Sequence, residues 1–417
     1  MQIIRNVRLR GREGTFDVAI DADRIAAVEP AIEASAEREH DGGGNLLLPG
    51  LINAHQHLDK CMLGDVMRPN RSQTLQEAID ITWDHKRGYT ADEIAARATP
   101  VIEAAICNGT TAIRAFADVD TVGGLTPVQA LLELKRRFAG LITLQVVAFP
   151  QEGIVRDPGC AQLMEQAIEL GADVVGGMPW YERLDRHVHE HVDFCLELAM
   201  RTGKDIHMLV DDTDDPTSRS LEYLAIRTIE SGYQGRVIAS HCGALAAYDD
   251  NHAERVIALV KEAGITISSN AHISLVLDGR GDRGLIRRGI TRVGELLDAG
   301  VNVISAQDDV NDPYYPFGKP DQLEVAQYMA HVAQLTYPTQ LETVLDMVTT
   351  GAARAMRLEA YGTAPGDRAD LVLVDAPTVH ETLRLLPPRR LVFYGGRLIA
   401  ESRRENVLHG APAPVSA

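Results

Sequence analysis

Short apolar runs alternate with longer amphipathic stretches along most of the chain. Apolar runs of about four to eight residues between turn signals are typical of buried strands. The predicted strands span residues 110–116, 142–149, 174–178, 205–210, 237–241, 265–270 and 301–306. Between them, apolar positions recur with the spacing of an α-helix. The predicted helices span residues 92–108, 127–138, 160–170, 191–202, 218–231, 251–264 and 289–300.

An eighth strand is predicted just before residue 58. The buried-type run 45–48 precedes His55 and His57, and the strand that ends at this histidine pair completes the set. Eight parallel strands that alternate with helices are enough to close a barrel. The predicted fold class is therefore α/β, a TIM-like (β/α)8 barrel.

The two ends of the chain have β-type patterns without a helical period. Residues 3–9, 16–20 and 24–28 near the start, and 369–374 and 390–399 near the end, read as strands. Each end alone is too short for an independent core, which disfavours two unrelated extensions. We therefore predict one small discontinuous β-sandwich. The predicted domains are residues 1–47 and 361–417 for this sandwich and 48–360 for the barrel.

Charge and composition exclude several classes of partner. The 417 residues carry a formal net charge of −18, which argues against nucleic acid and anionic membranes as partners. No apolar run approaches the ~18 residues of a transmembrane helix, and the first residues lack a secretory signal pattern. We expect a cytoplasmic protein. The scattered cysteines predict reduced thiols rather than disulfides or a thiolate zinc site; they are Cys61, Cys107, Cys160, Cys195 and Cys242.

Polar side chains with metal-binding chemistry follow three predicted strands. Because residues i and i+2 of a strand share a face, His55 and His57 can aim at one point. Another strand ends in His241, and a third is followed by Asp308 and Asp309. The carboxyl ends of barrel strands meet at one mouth. Two imidazoles and a carboxylate suit one divalent ion, zinc or iron(II), with a further histidine as a base.

The motifs around these residues resemble the amidohydrolase superfamily, and within it the cytosine deaminase branch, which includes N-isopropylammelide-type aminohydrolases. The resemblance covers nearly the whole barrel. It rests on His55-x-His57-Leu-Asp-Lys and on segments 144–153, 171–176, 288–293 and 308–313, with 366–374 in the small β-domain.

The resemblance implies roles for individual residues. His55, His57 and Asp308 would hold the metal, and His241 would orient or deprotonate the attacking water. Gln151 would hydrogen-bond the substrate ring, with Asp309 near its leaving edge. It also implies a homo-oligomer.

One position departs from the family pattern. Leu209 stands where the family carries a metal-binding histidine on the fifth strand, and Asp212 matches the carboxylate that protonates the leaving amine. His207 lies about 6.6 Å back along the same strand face. Three interpretations remain open: a local shift brings His207 to the metal, a three-ligand site is completed by water or substrate, or the site has lost catalysis. Asp211, next to Asp212, suits a helix cap or solvated loop equally well.

Aromatic residues near the strand ends differ from cytosine deaminase. Trp180 follows the fourth strand, and Phe116 replaces a histidine of the second. These residues favour stacking on a flat ring, although Trp180 also suits packing under a loop. Trp83 and Lys86 are further predicted pocket contacts.

We therefore expect a metal-dependent hydrolase that removes an amino or alkylamino group from a small nitrogen heterocycle. Cyclic amide hydrolysis in the same site is the enzymatic alternative. A non-catalytic ligand-binding paralogue is the other alternative, and it is motivated by Leu209.

Overall fold

The computed structural model describes residues 1–284 and 289–410. Arg288 of the 288–293 motif and the end of the predicted C-terminal segment, 411–417, lie outside the described residues. The described strands are β1 (Gln2–Val7), β2 (Phe16–Asp21), β3 (Arg24–Glu29), β4 (Arg38–Asp41), β5 (Leu47–Pro49), β6 (Leu51–His57), β7 (Thr110–Asp118), β8 (Thr143–Phe149), β9 (Val174–Gly177), β10 (Asp205–Val210), β11 (Val237–His241), β12 (Thr266–Ser268), β13 (Val303–Ile304), β14 (Leu371–Val374), β15 (Arg389–Tyr394) and β16 (Arg397–Glu401).

Helices connect and follow these strands. Those described are α1 (Leu75–Lys86), α2 (Ala91–Cys107), α3 (Thr126–Arg137), α4 (Cys160–Leu170), α5 (Asp185–Thr202), α6 (Ser220–Glu230), α7 (Asp250–Glu262), α8 (Ala271–Leu277), α9 (Val293–Asp298), α10 (Gln322–Val332), α11 (Pro338–Asp346), α12 (Thr350–Ala355) and α13 (Val379–Leu385). In this part of the chain no helix is both long and apolar enough to cross a bilayer.

Strands β6 to β13 form one eight-stranded parallel sheet in sequential order. The sheet closes beyond the end of β13, where Asp308 forms an isolated parallel bridge with Gln56 of β6. The backbone N–H of His57 donates to Asp308 O at 2.9 Å, and the N–H of Asp308 donates to His55 O at 2.8 Å. The predicted (β/α)8 barrel is confirmed, and its closing hydrogen bonds lie at the predicted site residues.

The predicted small β-unit built from both chain ends is confirmed too. Strands β3-β2-β1-β4 form one four-stranded sheet and β16-β15-β14-β5 a second. The second sheet joins the two ends, because β5 pairs antiparallel with β14. Ile4, Val18 and Ile20 from the first sheet pack with Leu371 and Phe393 from the second in a shared apolar core.

The run 45–48 was expected to lead into the histidine pair as a barrel strand, and this expectation is wrong. Leu47–Pro49 belongs to the small unit, and the barrel strand β6 begins at Leu51 and carries both histidines. The chain changes sheets at Gly50, whose N–H donates to Asp370 O at 2.8 Å. A Cβ at Gly50 would overlap the Thr111 side chain, so glycine is required for this close approach.

The last two barrel strands and α9 are shorter than predicted. The predicted ranges 265–270 and 301–306 contain only β12 and β13, and 289–300 contains only α9. After β12 the chain turns at Asn270 into α8, and after β13 it bends toward the barrel mouth at Asp308, where φ is +64°. Polar residues at the mouth end the ladder in both places.

Candidate functional site

His55 and His57 project from β6 into the mouth of the barrel, where both are almost completely buried. Their Nε2 atoms lie 3.2 Å apart. Asp308 Oδ1 lies 3.3 Å from His55 Nε2 and 3.5 Å from His57 Nε2. His241 completes the group, with Nε2 3.4 Å from Asp308 Oδ2. The structure thus brings together residues that stand far apart in the sequence.

Strained backbone aims two of these side chains. His241 has a φ of +68° and Asp308 a φ of +64°, in the left-handed region that residues other than glycine rarely adopt. Such conformations cost about 1–3 kcal/mol and persist where the surrounding structure enforces them. At Asp308 the enforcing contacts include the barrel-closing hydrogen bonds to β6 and a hydrogen bond from Asn270 Nδ2 to Oδ2 at 2.7 Å.

Ser240 connects His55 to His207. His55 Nδ1 lies 2.9 Å from Ser240 Oγ, and His207 Nε2 lies 2.6 Å from the same oxygen. A hydroxyl accepts one hydrogen bond and donates another. With His55 Nδ1–H donating and the hydroxyl donating on to His207, the lone pair of His55 Nε2 faces His57 and Asp308. In this arrangement the Nε2 atom of His207 is occupied by the Ser240 hydroxyl.

The donor set fits a divalent metal ion. Ligand atoms about 2.0–2.1 Å from a tetrahedral ion lie about 3.3 Å from one another, which matches the spacings between His55, His57 and Asp308. Both ring nitrogens of His241 are buried without a hydrogen-bond partner. Within the described residues, three groups of ligand atoms converge, and His207 belongs to none of them; the groups are His55, His241 and Asp308, then His57, Asp308 and Asp309, and then His57, Asp59 and Asp118.

A cavity of about 30 Å³ adjoins these residues. Gln151, Asp212 and Asp309 line it, as the sequence predicts for residues that contact a substrate. Leu209 also lines it, so the leucine faces the site directly. The other lining residues are His57, Lys60, His241 and Asp308 among the polar ones and Leu75, Met178, Ile273, Leu277 and Tyr314 among the rest.

The two adjacent carboxylates after β10 have different environments. Asp211 Oδ1 accepts hydrogen bonds from Ser218 Oγ at 2.6 Å and Ser220 N at 2.9 Å, and Oδ2 accepts from Leu221 N at 2.9 Å. Asp211 therefore caps the N-terminus of α6. Asp212 turns toward the cavity, where Oδ1 lies 3.5 Å from His241 Nδ1.

The buried carboxyl groups of the site have different pKa values. Burial raises the pKa of Asp212 to about 7, together with the carboxylates of Asp308 and Asp214. Burial and the neighbouring carboxylates of Asp312 and Asp308 raise the pKa of Asp309 well above its ordinary value. Burial also opposes ionisation of Asp308, but the imidazoles of His55 and His241 outweigh it and hold the pKa of Asp308 well below its ordinary value. One carboxylate is therefore kept ionised beside two that retain protons more readily.

Burial likewise lowers the pKa of His57 well below its ordinary value, with help from the ammonium of Lys60. It lowers the pKa of His241 too, against the opposing charge of Asp308. Both imidazoles are thereby held neutral, the form that binds metals and accepts protons.

The predicted aromatic contacts lie outside this cavity. Phe116 is buried and stacks on the His55 ring, with centroids 4.0 Å apart and planes 20° apart. Trp180 lines a separate cavity of about 450 Å³ next to the mouth. Trp83 packs against the apolar cluster that includes Leu209 and Tyr314. Lys86 is buried in ion pairs with Asp118 and Asp120.

Four contacts were not predicted from the sequence. Lys60 had a visible signal, because it ends the histidine motif, and Tyr314 follows the Asp308–Pro313 segment. Asn270 ends a predicted strand, and its amide holds Asp308. Ser240 immediately precedes His241, and strand alternation alone does not show which neighbours its hydroxyl contacts.

Comparison with known proteins agrees with this geometry. The sequence model of a family described as "Amidohydrolase family" matches residues 84–400. The chain belongs to the amidohydrolase family. The resemblance inferred from the sequence is thereby confirmed, and the donor set described above suits the metal dependence of this family.

Two amidohydrolase relatives match along nearly their whole length. The N-isopropylammelide isopropyl amidohydrolase of Pseudomonas sp. is 30% identical over 407 residues, which cover 96% of this chain and 97% of the relative. The crystal structure of 5-methylcytosine deaminase from Klebsiella pneumoniae, liganded with 5-fluorocytosine, superposes with a TM-score of 0.93. It is 36% identical and covers 98% of this chain and 99% of its own.

A further curated relative, the pterin deaminase of Rhizobium rhizogenes, is 30% identical over 391 residues, which cover 93% of this chain and 88% of the relative.

Proposed function

We propose that this protein is a metal-dependent hydrolase that removes an amino or alkylamino group from a small nitrogen heterocycle. The observation that carries the proposal is the convergence of His55, His57, His241 and Asp308 beside a cavity that Gln151 also lines. The relatives named for 5-methylcytosine, N-isopropylammelide and pterin support a heterocyclic substrate.

In this proposal His55, His57 and Asp308 hold one divalent ion, zinc or iron(II). Bound there, the ion supplies Lewis acidity that lowers the pKa of water to about 7. In this proposal His207 is not a ligand, because its Nε2 atom lies 2.6 Å from Ser240 Oγ. Of the three interpretations of Leu209, the geometry favours a three-ligand protein site. His207 then acts through Ser240 to hold the His55 ring.

Two proton transfers are assigned in this proposal: His241 takes a proton from the attacking water, and Asp212 gives one to the departing nitrogen. His241 Nε2 faces the metal ligands, so this nitrogen accepts the proton of the attacking water. Asp212 Oδ1 lies 3.5 Å from His241 Nδ1 and lines the same cavity. With a pKa of about 7, Asp212 can donate a proton to the departing nitrogen near neutral pH. Asp309 also lines this cavity.

In this proposal the aromatic residues pack around the site and do not stack on the substrate ring. Phe116 packs flat against His55 and restricts the orientation of this imidazole. Trp83 and Trp180 shape the surroundings of the mouth without lining the cavity.

Substrate entry requires side chains to move. A cavity of about 30 Å³ has room for about one water molecule, far less than a six-membered ring needs. Leu277 and Tyr314 form the wall between it and a neighbouring groove of about 450 Å³. We propose that the ring enters by displacing these two side chains.

The test combines metal analysis with product analysis. Purified protein is expected to contain about one zinc or iron per chain, to lose activity with a chelator and to regain it with added metal. Cytosine, 5-methylcytosine, N-isopropylammelide and pterin are incubated with it while ammonia or amine release is followed.

A ring-opened acid in place of free ammonia or amine would identify a cyclic amide hydrolase instead. Metal-free protein that converts none of these rings would contradict the proposal and favour a non-catalytic paralogue.

We also propose a cytoplasmic homo-oligomer. The net charge of −18 supports this proposal, because a negatively charged protein is repelled by anionic membranes and nucleic acid. Light scattering at several concentrations measures the assembly state, and a monomer throughout would contradict this proposal.

A further inference from the structure

Lys60 connects the substrate cavity to a buried charge network. Its side chain is almost completely buried. The ammonium donates to Asp118 Oδ1 at 2.9 Å and to Gln151 Oε1 at 2.8 Å. Lys60 is thus the direct link between a buried carboxylate and the amide that lines the cavity.

Asp118 holds the Lys60 ammonium through its Oδ1 atom, and its other oxygen has a separate partner. Lys86 Nζ lies 2.6 Å from the other oxygen of Asp118 and 2.7 Å from Asp120. The backbone N–H of Asp118 donates to Asp59 Oδ2 at 2.8 Å, which fixes the strand end that carries this carboxylate. Because a buried charge without partners is costly, the ammonium cannot leave these acceptors cheaply.

The ammonium determines which way the Gln151 amide points. Lysine has donors and no acceptor, so the amide oxygen must face it. The amide nitrogen therefore points the other way, where Nε2 contacts Met178 Sδ at 3.2 Å. A thioether is a weak acceptor, so these N–H groups remain available to a stronger one.

We propose that Lys60 is a positioning residue that locks Gln151 as a hydrogen-bond donor, so that the site selects heterocycles presenting an acceptor, such as a ring carbonyl oxygen, to this amide. This inference rests on the proposed function. Without Lys60 the amide is free to turn by 180° and offer its oxygen instead. The preference for an acceptor on the ring would then disappear.

The experiment compares two pyrimidines that differ in the group at C2 and in the hydrogen that the carbonyl form carries at N1. Cytosine carries a carbonyl oxygen where 2,4-diaminopyrimidine carries an amino group. Their dissociation constants are measured by calorimetry on the full-length protein after its metal has been removed, so that neither ring is hydrolysed during the titration, at a pH where both rings are neutral. The wild type is expected to bind cytosine at least about tenfold more tightly, because the diamino ring presents a donor to the buried N–H of Gln151 at the position where cytosine presents its carbonyl acceptor.

Lys60→Met removes the donors while keeping a long apolar stem, and it is expected to reduce the ratio of the two constants to less than about threefold. Lys86→Met is the matched control. It removes the other ammonium bound to Asp118 but makes no contact with Gln151, so the ratio is expected to stay at the wild-type value. Thermal unfolding checks that both variants are folded.

Gln151→Glu tests the same inference if Lys60→Met does not fold. A glutamate still accepts from Lys60 but has no N–H, so the preference is expected to invert toward 2,4-diaminopyrimidine. A wild-type ratio in folded Lys60→Met, or an equal loss in Lys86→Met, would overturn the inference, as would an unchanged preference in Gln151→Glu. A wild type that binds neither ring, together with no turnover in the product assay, would overturn the proposed function itself.

Discussion

Replacing Ser240 by alanine tests how the structure prepares His55 to hold a metal ion. The Ser240 hydroxyl lies 2.9 Å from His55 Nδ1 and 2.6 Å from His207 Nε2, and all three residues are completely buried. Ser240→Ala removes both contacts without adding volume. It leaves one nitrogen of each imidazole in an apolar environment without a partner.

The structure gives the size of the expected effect. Each buried imidazole nitrogen left unsatisfied costs about 1–3 kcal/mol, so the loss of both contacts should lower the free energy of unfolding of the metal-free protein by about 2–6 kcal/mol. Loss of a partner that orients a metal-binding histidine lowers metal affinity about 10- to 100-fold. This range corresponds to about 1.4–2.7 kcal/mol of binding free energy.

Metal affinity is measured by competition with a chromophoric chelator, and stability by urea unfolding of the metal-free protein. Ser305→Ala is the matched control, because Ser305 is equally buried and donates one hydrogen bond, to Ser269 O at 2.7 Å, away from the histidines. The control should lose about 1–2 kcal/mol of stability and keep its metal affinity. A Ser240→Ala protein that binds metal within twofold of the wild type would refute the role of this hydroxyl.

Five further substitutions test other parts of the site and the barrel. Asp308→Asn should lower metal content from about one ion per chain to near zero, measured by elemental analysis; full occupancy would remove Asp308 from the ligand set. Leu209→His should lower kcat/KM at least about tenfold, because a polar ring replaces a wall of the small cavity, and a large gain in activity would instead reveal a decayed site. Asp211→Asn should lower the free energy of unfolding in urea by about 1–2 kcal/mol, because it weakens the cap of α6. Asp212→Asn should leave stability unchanged and lower kcat at least about 100-fold. If Asp212→Asn lost the stability and Asp211→Asn lost the activity, the two roles would be exchanged. Ile304→Ala, in the apolar cluster inside the barrel, should cost about 2–5 kcal/mol in urea unfolding without changing metal affinity, and a cost below about 1 kcal/mol would contradict its packing role.

The sequence determined the architecture because burial leaves a local record. Strands buried on both faces read as continuous apolar runs, and helices that cover them carry a stripe, so counting runs predicted eight strands and a barrel. Strand alternation also places His55 and His57 on one face, since side chains two residues apart point the same way. The motif around them carries the family resemblance, which the comparisons confirm.

Tertiary structure alone decided which neighbours these residues meet. The run 45–48 has the same apolar pattern as a barrel strand, yet it pairs with β14 from the other end of the chain. Likewise, Asp211 and Asp212 are adjacent aspartates after the same strand, and the local pattern does not distinguish them. Only the position of α6 makes Asp211 the cap of that helix.

The same holds for Lys60 and Ser240, whose importance comes from partners on other strands, Gln151 and His207. A local pattern records whether a side chain is buried and on which face. Its partners are set by barrel closure and by the packing of distant segments, which no stretch of sequence contains by itself.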